Sequence, residues 1–245
     1  MIYLDPQDPQ AIAEALTSGL VVALPTETVF GLAVSLDSAS GLQNLIALKN
    51  RPLGSGKFFT LVPESRAALS RYVLLDPAEK PTVPQSANAV TPTALTNRPS
   101  ATSQLVDLLS AHFPGPLTLI LPKNPAFRHP YFDHLTKIGV RIPDTSLFSR
   151  LLPLSGPLLL TSANPRGLPA ATTPAQVAHY FQPPASEQHP SSTKTSALKP
   201  RPLNSEPPSL ALVSAPAGLQ PPSTVVDFTT SPPKILREGS LSLKF

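Results

Sequence analysis

Cysteine is missing altogether from this chain of 245 residues. That excludes a disulfide scaffold, a thiolate nucleophile and any zinc site built on sulfur, and it fits a reducing compartment. Charge is scarce as well: 14% of the residues are charged, which is low for a soluble protein. No block of like charge is long enough to act as a nucleic-acid tail. No apolar stretch approaches the ~20 residues of a membrane span. The start, Met1-Ile2-Tyr3-Leu4-Asp5-Pro6, lacks the basic residues and apolar core of a signal peptide. The expectation from these absences is a cytoplasmic protein.

What is present points to a folded chain with a real core, since 41% of the residues are hydrophobic. Proline is the excess: 33 residues, against a usual share of about 5%. They cluster at about 76–99 and 183–222, the second stretch holding ten, with Ser, Thr and Ala around them and no periodicity. Both stretches read as insertions in a single domain spanning 1–245. The net charge of +4 and a pI near 9.5 permit contact with nucleotide or nucleic acid without requiring it.

Between the insertions, strands and helices alternate. Strands are expected at 2–4, 21–24, 32–36, 58–62, 117–121, 138–142, 158–160, 224–228 and 235–237, with another at 210–213 inside the second insertion. Helices are expected from Asp8-Pro9 to Gly19, from Ser38 to Lys49, at 64–73, at 100–112 and from Thr173-Pro174 to Phe181. Several connections are too short for crossovers, so the class is α/β with a mixed sheet and flanking helices.

The stretch Leu24-Pro25-Thr26-Glu27-Thr28-Val29-Phe30-Gly31-Leu32 organises the chain. A buried strand ends at Pro25, which has no N–H for a ladder, and delivers two hydroxyls and a carboxylate at its mouth. Gly31 lets the backbone turn or be approached closely. One helix later come Lys49-Asn50-Arg51-Pro52. A Lys/Arg pair facing hydroxyls suits an amino acid beside a polyphosphate, although the dipole alone also favours cations at a helix C-terminus. Thr161-Ser162-Ala163-Asn164 places hydroxyl and carboxamide groups at another strand mouth, as ligand groups or as an Asx or Ser turn. Arg141 in Gly-Val-Arg-Ile-Pro and Arg237 in Ile-Leu-Arg-Glu-Gly are charges within apolar strands. Such a charge faces solvent or meets an anion.

Two other patterns fail. Gly54-Ser55-Gly56-Lys57 is not a P-loop, because Arg51 stands where the first Gly belongs and Phe58 where Ser or Thr belongs. It remains a small basic loop able to close over phosphates. His129 and His134 have no third ligand and the wrong spacing for one helix face, so no protein metal site is assigned. No Gly-x-Ser-x-Gly elbow is present.

Taken in order, Pro-Thr-Glu-Thr-Val-Phe-Gly-Leu, Leu-Lys-Asn-Arg-Pro, Phe-Pro-Gly-Pro-Leu-Thr-Leu-Ile-Leu, Gly-Val-Arg-Ile-Pro, Thr-Ser-Ala-Asn, Ser-Thr-Val-Val-Asp and Ile-Leu-Arg-Glu-Gly resemble the motifs of the YrdC-type threonylcarbamoyl-adenylate synthases, in their single-domain form. The resemblance implies a twisted mixed sheet, YrdC/RibB-like, around a basic cavity. It implies a nucleotidyltransferase that joins L-threonine, bicarbonate and ATP, with Mg²⁺ and no organic cofactor, releasing pyrophosphate. The product would feed a transferase complex that modifies the adenosine following the anticodon of tRNA. Residue by residue, Lys49 and Arg51 would be catalytic and bind the triphosphate. Thr28, Thr60, Arg141, Ser162 and Ser223 would hold threonine. Ser55, Lys137, Asn164, Thr172 and Arg237 would hold ATP. The sequence departs from the family at Lys57–Val62, where a Pro-Leu-Ile-Val run is usual, and at Pro165-Arg166-Gly167, where Leu-Ser-Gly is common. Two rivals stand beside this: a paralogue that binds nucleotide, tRNA or double-stranded RNA without making the product, and a carbamoyl-transfer domain of the hydrogenase-maturation type. No zinc motif or acylphosphatase segment supports the full-length form of the second.

Overall fold

The computed structural model describes residues 1–51, 59–75, 101–181 and 210–245. Ser55 with its basic loop, the 76–99 stretch and the 183–209 part of the second Pro-rich stretch lie outside the described residues. In chain order the elements are β1 (Ile2–Leu4), α1 (Pro9–Thr17), β2 (Val21–Pro25), β3 (Phe30–Ser35), α2 (Ala39–Lys49), β4 (Thr60–Val62), α3 (Leu69–Tyr72) and α4 (Ala101–His112). Then come β5 (Leu117–Pro122), β6 (Lys137–Val140), α5 (Ser146–Ser155), β7 (Leu158–Ser162), α6 (Pro174–Phe181), β8 (Leu210–Val213), β9 (Thr224–Asp227) and β10 (Lys234–Arg237).

All ten strands join one mixed sheet in the order β1-β8-β2-β3-β7-β4-β6-β5-β9-β10. The tight β2–β3 connection makes that pair antiparallel, whereas β8 runs parallel to both β1 and β2. The expected α/β class with a mixed sheet is therefore the observed one. β2 and β3 are buried along their whole length, as strands covered on both faces should be. Each fully buried Val or Leu here contributes roughly 1.5–3 kcal/mol against leaving it in water.

Local chemistry sets the element ends. Asp8 caps α1 by accepting the Ala11 N–H, with Pro9 in the first turn, and Ser38 caps α2 through the Gly41 N–H. α2 stops at Asn50, which takes the left-handed conformation (φ 44°, ψ 49°). Asn is the residue best suited to that conformation after Gly. Lys49 and Arg51 thus flank a reversal of the chain.

The structure corrects three expectations. α5 was not among the expected helices, and Pro153 stands inside it. The helix forms all the same, capped by the Thr145 hydroxyl and burying Leu147, Phe148, Leu151 and Leu152, with Pro153 near its end where few downstream bonds are lost. The helix expected at 64–73 shrinks to Leu69–Tyr72. Its first half closes three-residue turns instead, Ala68 N–H to Ser65 O and Leu69 N–H to Arg66 O. Arg141 is not inside a strand: β6 ends at Val140, and Arg141 N–H makes a last bond to Leu61 O at 3.0 Å. The remaining expected strands and helices in the described residues form, with ends shifted by one or two positions.

Candidate active site

The β2–β3 turn is built by Thr26. Its Oγ1 donates to Val29 O (2.7 Å), accepts from the N–H groups of Thr28 and Val29 (3.2 Å each), and shares a bond with Thr28 Oγ1 (3.0 Å). Gly218 covers this turn, its N–H bonded to Thr26 O at 2.8 Å. A side chain at 218 would put its Cβ 1.7 Å from Glu27 O, so only glycine allows that approach. Gly31 is also a close-approach position, with Leu160 where its Cβ would lie.

Arg141 meets the turn from β6. Its Nη2 donates to Glu27 Oε1 at 2.8 Å and to Thr28 Oγ1 at 3.1 Å, and its Nε donates to Gly115 O at 3.3 Å. Arg141 and Thr28 are buried, and Glu27 Oε2 is buried with no partner among the described residues. Beyond them Arg237 donates from Nε and Nη2 to Ser223 O (3.0 and 2.8 Å) and from Nη2 to Ser223 Oγ (3.1 Å). Ser223 Oγ shares a further bond with Thr118 Oγ1 at 2.9 Å. Burial, and then the positive charge of Arg141, lower the Arg237 pKa, so the two guanidiniums feel one another. Among the described residues Glu27 is the one carboxylate ion-paired at this end, and it meets Arg141.

The second cluster lies where α2 meets β7. Lys49 Nζ donates to the carbonyls of Ser162 (2.8 Å) and Asn164 (2.5 Å) and to Asn164 Oδ1 (3.2 Å). Ser162 Oγ donates to the same Oδ1 at 2.7 Å, and Asn164 Nδ2 to Leu168 O at 2.5 Å, which fixes the amide's orientation. Burial, and then the charge of Arg51, lower the Lys49 pKa to about 8. The Arg51 guanidinium lies over the Phe59 ring, 5.3 Å from its centroid. Its pKa is lowered by burial first and also by Arg166, while Tyr131 acts in the opposite sense. Lys49, Arg51 and Arg166 are thus coupled cations, and none has a carboxylate within ion-pairing distance among the described residues.

The clusters are joined by backbone. Gly31 pairs with Ser162 and Thr60 with Leu160 across β7, and Ala163 N–H donates to Phe30 O at 2.8 Å. The hairpin that carries Thr28 therefore also carries the Ser162 turn. Thr172 belongs to the frame in another way. Its N–H and hydroxyl donate to Gln176 Oε1 ahead of α6, and its carbonyl accepts from Ala217 beside Gly218. Lys137 stands apart, at the opposite end of β6 from Arg141, roughly 13 Å along by ordinary strand rise. There it pairs with Asp227 at 2.7 Å. Burial pushes the Asp227 carboxyl up, but bonds from Lys137 and Thr229 outweigh it and leave the pKa below the ordinary value. Sequence reasoning missed Glu27's pairing, Thr118, Gly218, Arg166 and Tyr131. Only Gly218 and Arg166 carried a local signal, as a lone glycine in a Pro-rich stretch and as a charge two residues after Asn164.

Fold and clusters together describe an α/β protein with buried and half-buried cations gathered at its strand mouths. The chain belongs to the Sua5/YciO/YrdC family, whose model, described as "Telomere recombination", matches residues 14–187. A threonylcarbamoyl-AMP synthase of Vibrio cholerae serotype O1 is 33% identical over 172 residues, 69% of this chain and 77% of that protein. Sua5 of P. abyssi in complex with L-threonine superposes with a TM-score of 0.67 at 23% identity, covering 97% of this chain and 56% of that one. YciO of E. coli gives 0.66 at 19% identity, covering 97% and 93%. This chain therefore spans little more than half the length of that Sua5 chain.

Proposed function

We propose that this chain is a threonylcarbamoyl-adenylate synthase, joining L-threonine, bicarbonate and ATP into threonylcarbamoyl-AMP and pyrophosphate. One observation carries the reading: a cation paired with a carboxylate, Arg141, and a group of cations with none among the described residues share a single frame of hydrogen bonds. Arg141, held by Glu27 and Thr28, takes the threonine carboxylate, with Ser223 and Thr60 beside it. Lys49 and Arg51 take the triphosphate, with Arg166 adding positive charge nearby; Ser162 serves threonine, and Asn164, Thr172 and Arg237 serve ATP. Ser55 completes the phosphate side in this assignment, and Lys137 is its outlying member.

The chemistry asks for no protein nucleophile. The threonine amine attacks the carbon of bicarbonate or of CO₂ released from it, forming the N–C bond of a carbamate and shedding the excess oxygen as water. A carbamate oxygen then attacks the α-phosphorus, the bond to the bridging oxygen breaks, and pyrophosphate leaves with the electron pair. Mg²⁺ enters as part of the substrate MgATP, its ligands drawn from phosphate oxygens and water. The protein contributes orientation and fixed positive charge along the phosphates, effects that together supply several kcal/mol, roughly, of transition-state stabilisation. The product goes on to a transferase that acts on tRNA. The 33% identity to the Vibrio cholerae synthase supports this reading over a module that only binds RNA.

The test is pyrophosphate release from ATP by the full chain, with threonine and bicarbonate each present or withheld. Release that requires both is expected. Release indifferent to threonine overturns the reading.

A further inference from the structure

The stretch from Phe127 to Phe132 has no part in the proposed reaction, yet among the described residues it holds a dense run of aromatic contacts. The chain has ten phenylalanines and four tyrosines. Five of these form one run of contacts: Tyr72 on Phe127, Phe127 on Phe132, Phe132 on Tyr131, and Tyr131 on Phe59. The run ends at the cation of Arg51, above the Phe59 ring.

His129 fixes the middle of this run. Its Nε2 lies 2.9 Å from Leu36 O, at the end of β3, and its Nδ1 accepts the Tyr131 N–H at 3.1 Å. Tyr131 is thereby buried with its ring parallel to Phe59, centroids 5.3 Å apart and planes within 12°. The Tyr131 hydroxyl accepts the Phe59 backbone N–H at 2.7 Å. Phe59 precedes β4, and its buried N–H has no ladder partner among the described residues, so this bond satisfies a donor that would otherwise be orphaned. Two constraints therefore hold Phe59, one on its backbone and one on its ring, and both come from Tyr131. Arg51 has several rotatable bonds to order before it can meet an anion, and a ring fixed beneath its guanidinium removes part of that cost in advance.

We propose that Tyr131 is a positioning residue for Arg51, acting through Phe59, so that the guanidinium is already placed where the polyphosphate binds. The proposal rests on the reading of Arg51 as a phosphate ligand.

The experiment is steady-state pyrophosphate release by the full chain carrying Tyr131→Phe, Phe59→Leu or Phe59→Tyr, in native and Arg51→Lys backgrounds. Tyr131→Phe keeps the ring stack and removes the hydroxyl. It is expected to lower kcat/KM for ATP about tenfold while KM for threonine stays within about twofold. In the Arg51→Lys background the same change costs less than about twofold, because the planar cation it serves is gone. Phe59→Leu, which keeps the backbone bond and removes the cation's ring, reproduces the ATP-specific loss, and Phe59→Tyr restores it. Phe59→Leu and Phe59→Tyr decide the matter if Tyr131→Phe fails to fold. An undiminished rate, an equal loss in both backgrounds, or a loss confined to threonine overturns the proposal. An inactive native chain sinks the phosphate reading and this proposal together, whereas an active native chain with indifferent variants sinks this proposal alone.

Discussion

The two ends of the site treat positive charge in opposite ways. At the Arg141 end a buried guanidinium is matched by the Glu27 carboxylate at 2.8 Å and by the Thr28 and Gly115 oxygens, so its charge is balanced and its direction fixed. At the Lys49 end the cations are held by carbonyls, an amide and a ring, none of which carries a full negative charge. A balanced cation orients a small ligand with one carboxylate at little electrostatic cost. Crowded, unbalanced cations repel one another until a multivalent anion arrives. Under the proposed function, that difference assigns the amino acid to the first end and the polyphosphate to the second.

The sharpest way to break the comparison is to remove a cation from each end. Arg51→Ala is expected to lower kcat/KM for ATP by about a hundredfold or more, the size of losing one fixed group that stabilises developing charge. Its melting temperature should hardly move, because Arg51 has no ion pair to lose among the described residues. Glu27→Gln tests the other end. It leaves Arg141 uncompensated beside Arg237, so threonine KM should rise about tenfold and stability fall by about 3 kcal/mol, read by denaturant unfolding. ATP KM should stay within about twofold. If Glu27→Gln weakens ATP as much as threonine, the two ends are one subsite and the distinction fails.

Much of this arrangement was legible in sequence wherever the cause was local. Pro25 ends its strand, Asn50 reverses the chain between two cations, and Ser162 and Asn164 share one strand mouth with the spacing their mutual bond requires. What sequence could not give was pairing at a distance. Glu27 and Arg141 are 114 positions apart, and Arg141 was expected within a strand rather than one residue beyond it. The stretch around His129 was weighed for metal ligation by its histidines, whereas its packing value lies in Phe127 and Tyr131, whose partners Tyr72 and Phe59 come from elsewhere in the chain. α5 was not read from the sequence; it holds Pro153 in its last turn and is secured by tertiary burial of Leu147, Phe148, Leu151 and Leu152.

Lys49 allows the unbalanced end to be titrated. Its folded pKa of about 8 lies below the ordinary 10.5. Below pH about 8 the folded state carries the buried charge, and between about 8 and 10.5 the unfolded chain binds the extra proton, so this group's contribution makes stability rise with pH there. Function runs the other way. Neutral Lys49 draws phosphate less, so kcat/KM for ATP should fall as pH rises through about 8, by about three- to tenfold. Lys49→Arg should flatten that limb at a lower overall rate, and the threonine dependence should lack it. A limb that survives Lys49→Arg belongs to another group.

The smallest expected effect falls on Arg166, and it is the one that discriminates field from contact. Arg166 is exposed, and it reaches Arg51 through charge rather than through any bond among the described residues. Its contribution to ATP binding should therefore be long-range and screened. Arg166→Ala is expected to raise KM for ATP about two- to fivefold at low salt, and the difference should disappear near 1 M salt, where the screening length is about 3 Å. Arg51→Ala should keep its deficit at the same salt, since the guanidinium over Phe59 acts at contact distance in a partly buried site. A salt-independent Arg166 deficit would make that side chain a direct phosphate ligand. The unbalanced end would then hold three contact cations.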